Sequence, residues 1–237
     1  MARLIEFIQK TFIESGSGIN ILMGLLTTVR ISFLSLLFGT LLAVPLCALR
    51  MTGRRSPVRR ILAWLARGFI ALVRGTPVLM LLMVFYYVIF GSTRIDAVII
   101  AIVAFSLNVS ANVAEIMRTS LLSIPSGQLD AAHALGLSGF QVFRCVTLPQ
   151  AGMIGLPVYQ GAVVNLIQWT SVVGYISITD LARAINFISS RTMEPLLMLF
   201  VGIALYLVMA YSTYGLFALI SRRKTGISHR YDRGRRV

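Results

Sequence analysis

The chain has 237 residues, 57% of them hydrophobic and only 13% charged, and its mean hydropathy is +0.83. That composition excludes an ordinary soluble domain and makes lipid the main solvent. The formal net charge of +14 would suit nucleic acid, but no nucleic-acid-binding fold motif accompanies it, so no such partner is expected.

At the N-terminus, Glu6, Gln9 and Lys10 interrupt the apolar run before a signal-peptide core can form. Leu4, Ile5, Ile8 and Phe12 share one helical face, which predicts an interfacial helix within residues 1–18. Uncharged runs long enough to cross a bilayer, about 18 residues or more of helix, follow at 31–49, 75–93, 97–114, 145–179 and 195–221. These runs are continuously apolar, so helices are expected and a β-barrel is not. The predicted fold class is an all-α polytopic membrane protein with five transmembrane helices over residues 19–221, followed by a basic tail at 222–237. Gly152, Gly155, Pro157 and Gly161 interrupt the fourth run.

Charge sets the expected orientation. Of the 22 Lys and Arg residues, seven lie within 50–74 and seven within 222–236, and Arg118 and Arg144 flank a third loop. The opposite loops hold Arg3, Lys10, Arg94, Arg183 and Arg191, offset by Glu6, Glu14, Asp96, Asp180 and Glu194. This asymmetry places the basic ends in the cytoplasm, the N-terminus outside and the C-terminus inside. Arg30 is expected to snorkel at the outer end of the first span and Arg74 to anchor the second. The polybasic tail suits anionic membrane lipid. Cys47 and Cys145 offer neither a disulfide framework nor metal spacing.

The cytoplasmic connection 119–150 is longer than its neighbours and reads as two short helices. The first has Asp130 near its start and meets Gly136 where helices commonly stop. The second opens on Ser138, which Gln141 completes as a capping box, and closes before Pro149. Leu129, Ala132 and Leu135 give the first an apolar face, and Phe140 and Phe143 the second. Periodicity fits a docking element and a helix packed on its own span ends about equally well.

Polar residues inside spans need an interior partner or a water-filled cavity. Asn108, Asn112 and Glu115 recur along one face of the third run, and Asn165, Gln168 and Trp169 cluster on the fourth before Thr170 and Ser171. They either line a solute pathway or make interhelical hydrogen bonds, and Glu115 can pair with Arg118. His133 and His229 have neither metal-ligand spacing nor a nucleophile partner, so no metal site and no catalytic role are expected.

Asp130-Ala131-Ala132, three residues, Gly136, nine residues, then Val146-Thr147-Leu148-Pro149 resembles the Glu-Ala-Ala loop of bacterial ABC importer permeases. Asp130 stands for Glu and Val146 for Ile. Arg74-Gly75-Thr76-Pro77, Ala114-Glu115-Ile116 with Arg118, Gly127-Gln128, Leu148-Pro149-Gln150-Ala151 and Thr170-Ser171 resemble the polar amino acid branch, of the histidine and glutamine permease kind. The resemblance implies that Asp130, Ala131, Ala132 and Gly136 contact an ATPase subunit as a coupling helix. Leu148 and Pro149 would fix where the loop rejoins the fourth span. It also favours a substrate pathway along Asn165, Gln168, Trp169, Thr170 and Ser171, to which the polar face of the third run adds Asn112 and Glu115 as candidates. Where the branch reads Lys-Asp-Thr-Ser, this chain has Gln168-Trp169-Thr170-Ser171, which points to a less charged or aromatic-stacking solute.

No phosphate-binding G-x-x-x-x-G-K-[ST] occurs, so no cofactor is expected in this chain, and ATP and Mg fall to a partner ATPase dimer. Short outer loops imply a separate extracytoplasmic solute-binding protein. Five spans are too few to enclose a path, which implies a second permease chain, identical or similar. The expected location is the bacterial cytoplasmic (inner) membrane and the expected mechanism alternating access. An ion-coupled carrier would need ionisable residues at mid-span; a membrane scaffold or sensor would move no solute.

Overall fold

The computed structural model describes residues 17–51 and 56–232, with side chains to Ile220. Nearly all of the interfacial helix expected at 1–18, the side chains of the basic tail, and Arg54 and Arg55 therefore lie outside the described residues.

Helix α1, Ser17–Met51, has 35 residues and carries Pro45 inside it. At 1.5 Å per residue it is about 52 Å long, well beyond the roughly 30 Å of bilayer hydrocarbon. The first span was expected to open at Ile31, but α1 runs straight through Arg30, which is exposed within the helix rather than at its outer end. Helix α2, Pro57–Gly75, starts on an extended Ser56 with Pro57 in its first turn, where proline's missing N–H costs nothing. It stops at Thr76, extended at φ −99° and ψ 131°, because the residue before a proline is disfavoured in the helical region.

Beyond Pro77, helix α3, Val78–Met83, continues through a π-helical turn to Ile89, and the chain bends by 109° between α2 and this segment. The single helix expected at 75–93 is thus replaced by a bent pair. Pro77 breaks it, and the upstream basic stretch, read as loop, is itself helical.

Helix α4, Ala97–Leu122, is capped by Asp96, whose carboxylate accepts the Val98 N–H at 2.7 Å. Helices α5, Ser126–Ala134, and α6, Gly139–Val142, form the long connection. A π turn, Phe143–Thr147, leads from α6 into α7, Leu148–Trp169, which tightens to a 3₁₀ turn over Thr170–Ile176. Asp180 then caps α8, Leu181–Thr192, by accepting the Ala182 and Arg183 N–H groups; a helix thus stands where an outer loop is expected. Helix α9, Pro195–Asp232, completes the chain. Three helices are long and apolar enough to cross a membrane by themselves, and five spans result if each bent pair counts as one. The described residues therefore form an all-helical, polytopic membrane protein.

The core sits between α1 and α4, with Ile31, Ala43, Leu82, Ala104, Phe105 and Leu166 buried in it. Lipid tails are as apolar as leucine, so helices in a membrane associate by close van der Waals fit rather than by hydrophobic expulsion. Gly39 provides that fit: a Cβ there would stand 2.6 Å from Val109 Cβ and 2.8 Å from the Ser106 carbonyl oxygen. Ser35 Oγ donates to the Ile102 carbonyl across the same seam at 3.4 Å. A smaller core of Ile21, Leu181, Ile185, Ile188 and Met198 ties α8 and α9 to the start of α1. There Thr28 Oγ1 accepts the Leu181 N–H at 3.2 Å.

Gly39→Ala should cost roughly 1–3 kcal/mol, the usual range for overpacking a close contact. Gly215→Ala, where an added Cβ meets nothing within 4 Å, should be neutral or stabilising by up to about 1 kcal/mol. Thermal unfolding of the two purified variants compares them directly; equal midpoints would mean that the α1–α4 seam is not close-packed at Gly39.

Candidate functional site

Two regions gather the residues singled out by sequence. The first is the connection between α4 and α7. Helix α5 ends in a closed C-terminal motif: Gly136, at φ +81°, donates to the His133 carbonyl at 2.9 Å, and Leu137 donates to the Ala132 carbonyl at 3.2 Å. Glycine adopts this left-handed conformation without a Cβ clash. Ser138 then opens α6 with the reciprocal capping box, Gln141 Oε1 accepting the Ser138 N–H at 2.8 Å and Ser138 Oγ the Gln141 N–H at 3.4 Å.

These local locks hold the two helices against each other with Ala132 and Val142 buried between them and the π turn. Asp130, Ala131 and Gly136 remain exposed, as do Leu135 at 82% and Phe140 at 69% of their free surface. The expected apolar face of α5 is thereby divided. Leu129 and Ala132 turn inward, whereas Leu135 stands in the open beside the exposed Ala131.

Leu148 and Pro149, both exposed, occupy the first turn of α7. The second loop helix does not close before Pro149 as expected. It widens into the π turn, in which Leu148 donates to Phe143 five residues back, and passes into α7. A proline inside a regular helix would lose one hydrogen bond and crowd the carbonyl four residues earlier; the π turn shifts the register just ahead of Pro149 and relieves this.

The second region is an open cleft of about 490 Å³ walled by α4 and α7. It brings together Asn112, Glu115, Asn165 and Trp169, four of the seven predicted pathway residues, and adds Arg74 from the end of α2. Asn112 Nδ2 donates to the backbone oxygen and side-chain oxygen of Asn108 at 3.0 and 2.9 Å, so Asn108 is buried behind it and Asn112 forms the wall. Glu115 pairs with Arg118, at 2.6 Å, and with Arg50 from the end of α1. Arg74 lies within electrostatic reach of the same carboxylate. The Arg50 partnership, across 65 positions of sequence, has no local signature.

The remaining three predicted residues lie elsewhere. Gln168 lines a separate cavity of about 580 Å³ on the α8 and α9 side, with Asn186 and Tyr206. Thr170 is fully buried and donates to the Ile167 carbonyl at 2.6 Å, while Ser171 is exposed and donates to the Gln168 carbonyl at 2.7 Å. The separation follows from helix geometry. Asn165 and Trp169, four apart, point within about 40° of each other, whereas Gln168 stands about 100° from Trp169. No group of three or more His, Cys, Asp or Glu residues suited to a metal ion occurs among the described residues.

Comparison with known proteins bears on this arrangement. Residues 35–226 match the family described as binding-protein-dependent transport system inner membrane component. The chain is 31% identical over 200 residues to the L-cystine transport system permease protein TcyB of Bacillus subtilis (strain 168), covering 84% of this chain and 81% of that one. It is 33% identical over 238 residues to the octopine transport system permease protein OccM of Rhizobium meliloti, covering 92% and 91%. A crystal structure of an amino acid ABC transporter with histidines superposes with a TM-score of 0.78 at 27% identity, over 89% of this chain and 96% of that chain. The inward-facing MetNI methionine ABC transporter, at 20% identity and a TM-score of 0.70 over 86% of this chain and 96% of that chain, shares the fold. With four-fifths of its length matched by the family and relatives above 30% identity across most of both chains, this chain belongs to the inner membrane components of binding-protein-dependent transport systems.

Proposed function

We propose that the chain is the permease subunit of an ATP-driven ABC importer for a polar amino acid or a related small amine or amide solute, residing in the bacterial inner membrane with its N-terminus outside and its C-terminus inside. The observation that carries the reading is the α5–α6 unit. A motif-bearing helix is locked by its own caps, leaves Asp130, Ala131 and Leu135 exposed, and is joined through α7 to the polar cleft. Such a unit is built to receive force from another protein, and α7 is built to pass it on.

In this reading Asp130, Ala131, Ala132 and Gly136 form the contact with an ATPase dimer, which binds ATP and Mg. Ala131 lets the groove approach closely, and buried Ala132 holds the helix down. Leu148 and Pro149 seat the loop on α7. A second permease chain completes the path, and an extracytoplasmic solute-binding protein delivers the solute. ATP binding closes the ATPases and turns the permease pair outward; hydrolysis resets it. An equilibrium moves only as far as a ligand binds its two states differently, so each partner acts through the state it favours.

The solute class rests on the relatives and on the cleft's chemistry. Asn112 and Asn165 offer amides, Trp169 an aromatic face, and Arg74 a positive charge beside a carboxylate already matched by two arginines. That combination suits a zwitterion whose carboxylate needs a cation and whose side chain is uncharged or stacks. Gln168, Thr170 and Ser171 enter the pathway only where the second chain or a rearranged α7 brings them to it.

Two outcomes test the reading. Asp130→Lys and Gly136→Asp should each abolish solute-stimulated ATP hydrolysis by the co-purified ATPase, by tenfold or more, while leaving the ATPase's own basal rate intact; unchanged coupling removes the docking role of α5. Trp169→Ala and Asn165→Ala should each lower uptake at least tenfold in proteoliposomes or change which amino acid competes best. If both variants transport with unaltered rate and selectivity, solute does not pass through this cleft.

A further inference from the structure

Helix α2 is not used by the coupling loop, and only its last turn reaches the cleft. At 100° per residue most of its 19 residues fall into three stripes, with Arg59 exposed at the open first turn of the buried one. Ala63, Ala66, Ile70 and Val73 are buried on the stripe that packs on α1 and α4. Val58, Ile61, Leu62, Leu65 and Leu72 form a second stripe and are all exposed, Leu72 at 66%. Arg60, Arg67 and Arg74 recur every seven residues on a third, roughly opposite the apolar one, and all are exposed. Trp64, 68% exposed, sits at the edge of the arginine stripe.

Two further features narrow what covers this helix. It contains no acidic residue, and among the described residues the ion pairs join Glu115 to Arg50 and Arg118, none to Arg60 or Arg67. The 109° bend at Thr76-Pro77 sets α2 nearly across the direction of the segment 78–89, and α2 carries every charge of the pair, so the uncharged segment enters the hydrocarbon and α2 lies along the membrane surface. Arginines inside the hydrocarbon are costly. At the surface the same helix satisfies both outer stripes at once, apolar side chains in the acyl boundary and guanidinium groups among phosphates.

We propose that α2 lies in the plane of the membrane and binds anionic phospholipid, with Val58, Ile61, Leu65 and Leu72 in the acyl boundary and Arg60 and Arg67 on the headgroup phosphates. In the orientation proposed above this is the cytoplasmic leaflet. Because α2 packs on α1 and α4 and ends at Arg74 on the cleft, lipid held here bears on the α1–α4 unit from outside. The assignment itself needs only that the chain be in a bilayer.

Trp64 is one of two tryptophans, so a Trp169→Phe chain reports from α2 alone. The full-length chain is placed in nanodiscs of phosphatidylcholine and phosphatidylglycerol, with bromine on the acyl chains of one lipid at a time. Trp64 fluorescence should be quenched, and more strongly by brominated phosphatidylglycerol than by phosphatidylcholine at equal mole fraction. Arg60→Gln with Arg67→Gln should remove most of that preference, which scales to roughly fivefold per arginine, while quenching by both lipids persists. Absence of quenching by either lipid overturns the proposal, since the face is then covered by protein, a second copy of the chain included. Equal quenching by the two lipids in the Trp169→Phe chain, or a preference that survives loss of both arginines, overturns it as well. Should Trp169→Phe fail to fold, mass spectrometry of lipid retained through purification reads the same point. The unsubstituted chain should keep several-fold more phosphatidylglycerol than the Arg60→Gln, Arg67→Gln chain, and equal retention overturns the proposal.

Discussion

The seam between α1 and α4 is the contact on which the remaining architecture depends. In lipid there is no solvent to expel from between helices, so the seam must hold by shape and by satisfied polar groups. Gly39 lets the backbones meet at the level of Ser106 and Val109, and Ser35 adds a bond to the Ile102 carbonyl at 3.4 Å. At one end the Arg50–Glu115–Arg118 cluster closes the same pair of helices electrostatically. Toward the other, a Cβ on Gly24 would fall 2.7 Å from the Asp180 carbonyl oxygen, which brings the start of α8 against α1. With α1 fixed along its length, α4 has one rotational setting, and that setting turns Asn112 and Glu115 toward α7.

This gives Glu115 a double position. Its carboxylate lines the cleft and also carries the charge that holds Arg50 and Arg118. Two cations against one anion leave the acid matched, so the cleft presents amide, aromatic and cationic groups rather than a free carboxylate. Thr40 and Tyr159, whose hydroxyls meet at 2.9 Å, tie α1 to α7 beside the cleft. The walls are therefore fastened to a common element, α1, on both sides.

Features set by neighbouring residues were legible in the sequence, and features set by distant ones were not. Gly136 as the stop of α5 and the Ser138–Gln141 box follow from rules that span three to six residues, and both took the expected form. The loop motif, 20 residues from Asp130 to Pro149, was read by resemblance rather than by such local rules. Helix α2 was missed because its arginines read as a loop's charge; the signal was present in Ser56-Pro57 at its start and in buried positions 63, 66, 70 and 73. Helix α8 carried a comparable clue in Asp180 ahead of Leu181, Ile185 and Ile188. The Arg50–Glu115 pair had none, since nothing in the 65-residue separation marks the two as neighbours. Asn165, Gln168 and Trp169 looked like one cluster because they are close in sequence, but a step of 100° per residue sends Gln168 to a different wall.

The π turn ahead of Pro149 bears on how the two regions communicate. Had the chain broken there, α6 would hang on a flexible joint and its displacement would be lost before α7. Instead the helical path is continuous from Gly139 through Phe143–Thr147 to Trp169. From Leu148 to Asn165 is about 25 Å at 1.5 Å per residue. Coupling over such a distance needs elements that keep their shape while an interface has two arrangements. A continuous α7, with Gly155 close against Ser120 and no break at Pro157, meets the first requirement. The second falls to its two ends: Gly155 seats α7 on α4, whereas Gln168 near the far end borders the cavity shared with α8 and α9. In the proposed cycle, force on α5 and α6 therefore tilts α7 about its seam with α4, which changes the width of the cleft at Asn165 and Trp169 before it disturbs the α1–α4 core.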